Sequence, residues 1–146
     1  MSVYIPVNVE APTPSLKKSA TLNYSFSESH TGSLQDNPDV SEYLNLLKSV
    51  DINELEIVFS GLQDTQTIET IDISVEGVGT IAAITNVTTS NLVHSPEISD
   101  ALLSQVAAKL YSTKQITITV SGSTNEAPMT FNVKTNIGAH FTASPL

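Results

Sequence analysis

Hydrophobic and polar positions alternate along most of this chain, and two segments switch to a helical period. Val3, Ile5, Val7 and Val9 alternate with Tyr4, Pro6, Asn8 and Glu10, the period-2 pattern of a half-buried strand. Pro6 has no amide hydrogen to give to a ladder, which predicts that this strand, residues 3–10, lies at a sheet edge. Beyond the stiff connector Ala11-Pro12-Thr13-Pro14, a second strand sets Ala20, Leu22, Tyr24 and Phe26 against Thr21, Asn23, Ser25 and Ser27, followed by a polar loop from Glu28 to Asp36 with Leu34 in it. Further on, Leu55, Ile57 and Phe59 oppose Glu54, Glu56 and Val58, and Ile71, Ile73 and Val75 oppose Asp72 and Ser74. Residues 80–85 make a short strand after Gly77 and Gly79. Ile116, Ile118 and Val120 make another, and Met129, Phe131, Val133, Thr135, Ile137, Ala139 and Phe141 make the longest.

The helical segments open on related phrases. Asn37-Pro38-Asp39-Val40-Ser41-Glu42-Tyr43-Leu44 returns fifty-eight positions later as Ser95-Pro96-Glu97-Ile98-Ser99-Asp100-Ala101-Leu102. In each, an Asn or Ser suits the N-cap, Pro suits the first helical position, and acids in the first turn suit the helix dipole. Val40, Tyr43, Leu44 and Leu47 share one face of a helix predicted over 38–49; Ile98, Leu102, Val106 and Leu110, widened by Leu103, share one face of a helix predicted over 96–111. Each helix leads to a strand ending in Ser-Gly, Ser60-Gly61 and Ser121-Gly122, and then to a returning strand. The chain therefore reads as one edge strand (3–10) and two strand–helix–hairpin repeats, about 19–76 and 78–142, in a single domain over 1–146. One wet face per strand argues for antiparallel sheets. The expected fold is α+β and mostly antiparallel: a β-sandwich or curved sheet of about seven strands with two peripheral helices.

Composition narrows the function classes. Six Lys and no Arg face fifteen acidic residues, a net charge of −9, and the one adjacent basic pair is Lys17-Lys18, so no nucleic-acid partner is expected. Without cysteine, disulfides, thiol catalysis and zinc–thiolate sites are excluded. No run of about 20 apolar residues, the length a transmembrane helix needs, occurs. Nineteen Ser and seventeen Thr tilt the reading toward an exported, β-rich domain.

The candidate chemistry is sparse. His30, His94 and His140 have no metal-ligand spacing, do not repeat with the twin phrases, and read as solvent-exposed side chains. Asp36, Asp39 and Glu42, with Glu97 and Asp100, could supply paired carboxylates for glycoside chemistry, but helix starts attract acids for dipole reasons alone. Glu54, Glu56, Glu69 and Asp72 read as the wet face of a hairpin. Gly77-Val78-Gly79 lacks the third glycine of a dinucleotide fingerprint, and no nucleophile-elbow or phosphate-loop motif occurs. Asn23-Tyr24-Ser25 and Asn86-Val87-Thr88 match the N-glycosylation pattern, relevant in a eukaryotic secretory pathway. No catalytic residue, metal ligand or cofactor is predicted.

Tyr43-Leu44-Asn45-Leu46-Leu47-Lys48-Ser49-Val50-Asp51-Ile52 running into a strand, and the closing Met129-Thr130-Phe131-Asn132-Val133, resemble the small β-rich domains of bacterial exported lipoproteins, a likeness covering nearly the whole chain. It implies a periplasmic or cell-surface location with the export signal removed, and no particular activity. The chain departs from that pattern in lacking the lipid-bearing Cys. The expected function is a non-catalytic binding or structural module of a bacterial envelope, with a protein or carbohydrate partner. One alternative is a carrier holding a small apolar ligand between sheet and helices; another is a small hydrolase using paired carboxylates.

Overall fold

The computed structural model describes residues 2–13, 24–38, 40–125 and 129–143. Eight strands form two four-stranded antiparallel sheets: β1 (Ser2–Thr13), β8 (Met129–Ala143), β3 (Leu47–Ser60) and β6 (Val93–His94) in that order in sheet A, and β2 (Tyr24–Ser33), β7 (Gln115–Thr124), β4 (Ile68–Val75) and β5 (Gly79–Val87) in sheet B. Seven strands are full length, and β6 has two residues. The fold is the mostly antiparallel, single-domain β-sandwich that the alternation predicts. Every connection except β4–β5 passes from one sheet to the other. Two sheets of four strands that interleave the first and second halves of the chain in this way make a jelly roll.

The alternation translates directly into burial. Leu55, Ile57 and Phe59 of β3, Ile71, Ile73 and Val75 of β4, Ile116, Ile118 and Val120 of β7, and Phe131, Val133, Ile137, Ala139 and Phe141 of β8 all point into the space between the sheets. Phe26 of β2 meets Phe131 of β8 edge-on across that space, with ring centroids 5.2 Å apart, the T-shaped geometry that aromatic quadrupoles favour. β1 lies at the edge of sheet A, pairing with β8 alone, as Pro6 requires.

The pairing of the returning strands differs from expectation. β3 and β4 belong to different sheets, and so do β7 and β8, so neither expected hairpin forms. Alternation specifies which face of a strand is buried; it does not specify which strand lies beside it. The crossing loop between β3 and β4 is held by Asn125, whose Oδ1 accepts from the Thr67 N–H (2.8 Å) and whose Nδ2 donates to the Thr65 carbonyl (2.9 Å). The true hairpin is β4–β5, turned at Glu76–Val78 with Gly77 at φ +84° and Gly79 at φ +109°. Gly122 of β7 is required for another reason. A Cβ there would stand 1.9 Å from the Thr70 carbonyl oxygen, so the backbones of β7 and β4 meet with no room for a side chain.

The twin phrases fold differently. The second makes the one α-helix among the described residues, α1 (Asp100–Thr113). It starts four residues later than expected because Ser99, not Ser95, is the N-cap; its hydroxyl accepts from the Leu102 N–H. Val106, Ala107 and Leu110 form its buried face, and Lys114 in a left-handed conformation ends it, with its N–H on the Leu110 carbonyl. The first phrase, preceded by a 3₁₀ turn at Leu34–Asp36, opens a six-residue 3₁₀ helix at Ser41–Leu46. Leu47 to Ser49, the last three residues of the predicted 38–49 helix, are already strand. A 12-residue helix is marginal by itself, whereas Leu47 to Ile52 gain a ladder against Ala143 to Ala139 of the long β8. The residues predicted to be loop after Ser27 continue β2 as far as Ser33. Lys17, Lys18, Asn23 and Asp39 lie outside the described residues.

Candidate functional site

The two sheets end differently on the side where α1 lies. β6 pairs with β3 only at Ile57 and Val58. Among the described residues no strand lies beside the same edge of β3 from Leu47 to Glu56, and α1 packs alongside it instead. The bulge between Ile52 and Glu54 reverses the inward parity of β3, so Val50 and Leu55 both face the core while Asp51, Asn53 and Glu54 face solvent.

Between this open edge and α1 runs a groove. Its larger part, about 580 Å³, is lined by Lys48, Val50, Asp51 and Ile52 from β3 and by Asp100, Leu103, Ala107 and Tyr111 from α1, among others. A second part of about 390 Å³ continues past Asn53, Glu54 and Leu55 to Ser95–Ile98, sharing Asp100 and Leu103 with the first. Small side chains at Ala107 and Ala108 give α1 its close approach and keep the groove open. At one end the Tyr111 hydroxyl donates to the Leu47 carbonyl (3.4 Å), and the Lys114 ammonium lies 4.5 Å above the Tyr111 ring centroid, fixing that ring by a cation–π contact.

This groove lies where a carrier would hold an apolar ligand between sheet and helix, but its lining is mixed: Ile52, Leu103 and Ala107 share it with Lys48, Asp51, Asp100 and Ser104. Of the acids singled out in the sequence, Asp100, Glu97 and Glu54 come together along it, joined by Asp51. Asp36 and Glu42 are exposed and line neither part of it. Glu56 accepts from the Asn136 amide (3.2 Å) on the outer face of sheet A, Asp72 is exposed on sheet B, and Glu69 is half-buried there. Lys48, Asp51 and Tyr111 escaped the sequence reading, because β3 was expected to begin only at Ile52 and the edge it presents depends on how short β6 is.

The histidines are scattered. His30 is exposed on β2, opposite Ile118, rather than in a loop. His94 is half-buried on β6, its Nε2 2.7 Å from the Asn91 carbonyl and its ring edge-on to Phe59, so it is packed rather than solvent-exposed. His140 is half-buried on β8, opposite Asp51. Among the described residues no three His, Asp or Glu side chains gather into a metal-binding group, and no helix is long and apolar enough to cross a membrane. Asn86 of the second glycosylation triplet is exposed, at φ +56°.

The outer face of sheet B is paved with hydroxyls. Ser29 bonds Thr119 (2.7 Å), Thr31 bonds Thr117 (2.7 Å) and Thr70 bonds Ser123 (3.1 Å), each pair across neighbouring strands. Six of the Ser and Thr residues are paired across strands in this way.

No family model matches the chain, and no curated protein matches it. Among solved structures it is similar to a chain of turnip yellow mosaic virus, at 12% identity and a TM-score of 0.37, covering 100% of this chain and 95% of that one. It is also similar to a chain of Desmodium yellow mottle tymovirus, at 7% identity and a TM-score of 0.29, covering 100% of this chain and 85% of that one. Likeness at these scores carries no argument; the jelly-roll assignment rests on the strand pairing itself.

Proposed function

We propose that this chain is a non-catalytic structural subunit that works through its surfaces. The observation that carries this reading is the completeness of the sandwich: apart from Thr124 and Thr135, the inward positions of β3, β4, β7 and β8 are filled by aliphatic and aromatic side chains that pack against one another. The interior is a packed core, and the functional chemistry belongs to edges and outer faces. Jelly rolls of eight strands serve as viral capsid domains, lectin domains and cupins. Of these, the capsid role asks for shaped surfaces rather than an interior site, so the packed core fits association with further copies into a closed protein shell. That step is an analogy of architecture.

Composition favours a second setting, a bacterial envelope, because Ser and Thr are so abundant. The two settings separate experimentally. Light scattering and electron microscopy of the purified chain across a range of concentration and ionic strength should show discrete, closed particles if it forms a shell. A chain that stays monomeric under every condition removes that reading. An export signal ending in Cys just upstream in the gene would support the envelope setting. Substrate turnover that depends on Asp51 or Asp100 would overturn the non-catalytic reading altogether.

A further inference from the structure

The open edge of β3 has what strand addition needs. An unpaired edge offers a row of backbone N–H and C=O groups to an incoming extended segment. Here that edge is accompanied by a groove whose two parts, about 580 and 390 Å³, fall within the range of roughly 300–1,000 Å³ typical of ligand clefts. Leu103 and Ala107 on α1, with Ile52 on β3, provide an apolar wall. Four acids, Asp51, Glu54, Glu97 and Asp100, line the groove against one cation, Lys48.

Charge selects the occupant. A strand from a second copy would come from a chain of net charge −9 without a single Arg and would meet like charge along the groove. A bulge and charged side chains are also the devices by which edge strands repel uninvited neighbours. The acids beside the Ile52–Glu54 bulge disfavour an acidic strand and give a basic one complementary charge.

We propose that the groove between β3 and α1 binds an extended, Lys- or Arg-rich segment of a partner protein, added to sheet A as a strand beside Ser49–Leu55. Alternate residues of the segment are apolar and lie against Leu103 and Ala107; the others are basic and meet Asp51, Glu97 and Asp100. This proposal is independent of whether the chain forms shells.

The test uses the intact chain and a labelled peptide, acetyl-Lys-Val-Lys-Val-Lys-Val-Lys-amide, followed by fluorescence anisotropy and by backbone amide NMR. Saturable binding is expected, with shifts concentrated at Ser49–Leu55 and Leu103–Ala108. Replacing every Lys of the peptide by Glu should weaken binding at least about tenfold, since like-charge juxtaposition across an interface is strongly unfavourable. Methylating alternate peptide amides should weaken it by about tenfold, by removing ladder hydrogen bonds. The double variant D51N/E97Q should lose about fivefold in affinity, as expected for two exposed ion pairs, with an unchanged melting temperature. Equal binding of the Glu peptide or of the methylated peptide overturns the proposal, as do shifts located elsewhere or absence of binding at millimolar peptide. Concentration-dependent pairing of the chain with itself at these same amides would also overturn it, by assigning the edge to a second copy.

Discussion

The two sheets draw on the same alternating code, yet the inner strands of sheet B are laddered on both sides, while β3 of sheet A is laddered against β8 and, on its other side, against a two-residue strand. In sheet B, β7 is paired along its length with β2 and from Ile118 to Thr124 with β4, its outer hydroxyls bond across the strands, and Gly122 lets two backbones approach until no Cβ fits between them. In sheet A the long pair β3–β8 is just as continuous, but β6 stops after two residues and a helix takes the place of the missing ladder. A strand can satisfy its own backbone only by a partner strand, whereas a helix beside it covers side chains and leaves edge groups to water. Both sheets keep edge strands, β2 and β5 in sheet B and β1 and β3 in sheet A; what distinguishes the β3 edge is the helix and the groove beside it.

The largest test of this contrast compares two glycines. Gly122→Ala should destabilise by about 4 kcal/mol or prevent folding, because the clash is with backbone rather than a movable side chain. Gly138→Ala in sheet A should cost only about 1–2 kcal/mol, because its new methyl would meet the Glu54 side chain, which can turn aside. Urea denaturation of both variants checks the ranking; equal losses would mean the sheets are equally tight. Next in size is Leu110→Ala, which removes a fully buried anchor of α1 and should cost about 3 kcal/mol. Hydrogen exchange should quicken in Leu47–Asn53 of β3 and stay slow in β7 and β4 if α1 steadies only the stretch of β3 it packs against. A uniform increase would erase the distinction.

A smaller effect of opposite sign is expected at Thr135. Its Oγ1 is buried with no hydrogen-bond partner among the described residues, and Val has nearly the same shape. Thr135→Val should stabilise by about 1 kcal/mol, seen as a higher urea midpoint at unchanged slope. Smallest is Ser29→Ala, which breaks an exposed hydroxyl pair with Thr119 and should cost at most about 0.5 kcal/mol. A loss above that would show that the hydroxyl face of sheet B is a more cooperative network than its separate pairs suggest.

The acids gathered along the groove were individually legible in the sequence, but their grouping was not. Glu97 and Asp100 stood out as first-turn acids of the second helical phrase, and Glu54 as a wet-face residue. What brings them to Asp51 is the bulge in β3 and the early end of β6, and both are pairing properties of strands far apart in the chain. His94 shows the same limit: nothing beside it in sequence announces Phe59, thirty-five positions earlier, as its ring partner.

By itself the sequence determined which side of β4, β7 and β8, and of β3 from Leu55 onward, is buried. That follows from a two-residue period, which depends on neighbours two positions away and on nothing more distant. It determined the edge position of β1 through Pro6, the helical character of the second phrase through Ser99, Asp100 and the Val106–Leu110 face, and the acidic, Arg-free surface. Only the tertiary structure decided which strands pair, since a core-facing alternation fits beside many partners equally well. It also decided the fate of the first phrase. Local capping signals favoured a helix at 38–49, worth around 1 kcal/mol for a good cap. The ladder that β8 extends to Leu47–Ile52 outweighed them, because each added residue of that ladder satisfies backbone groups and buries apolar surface at once.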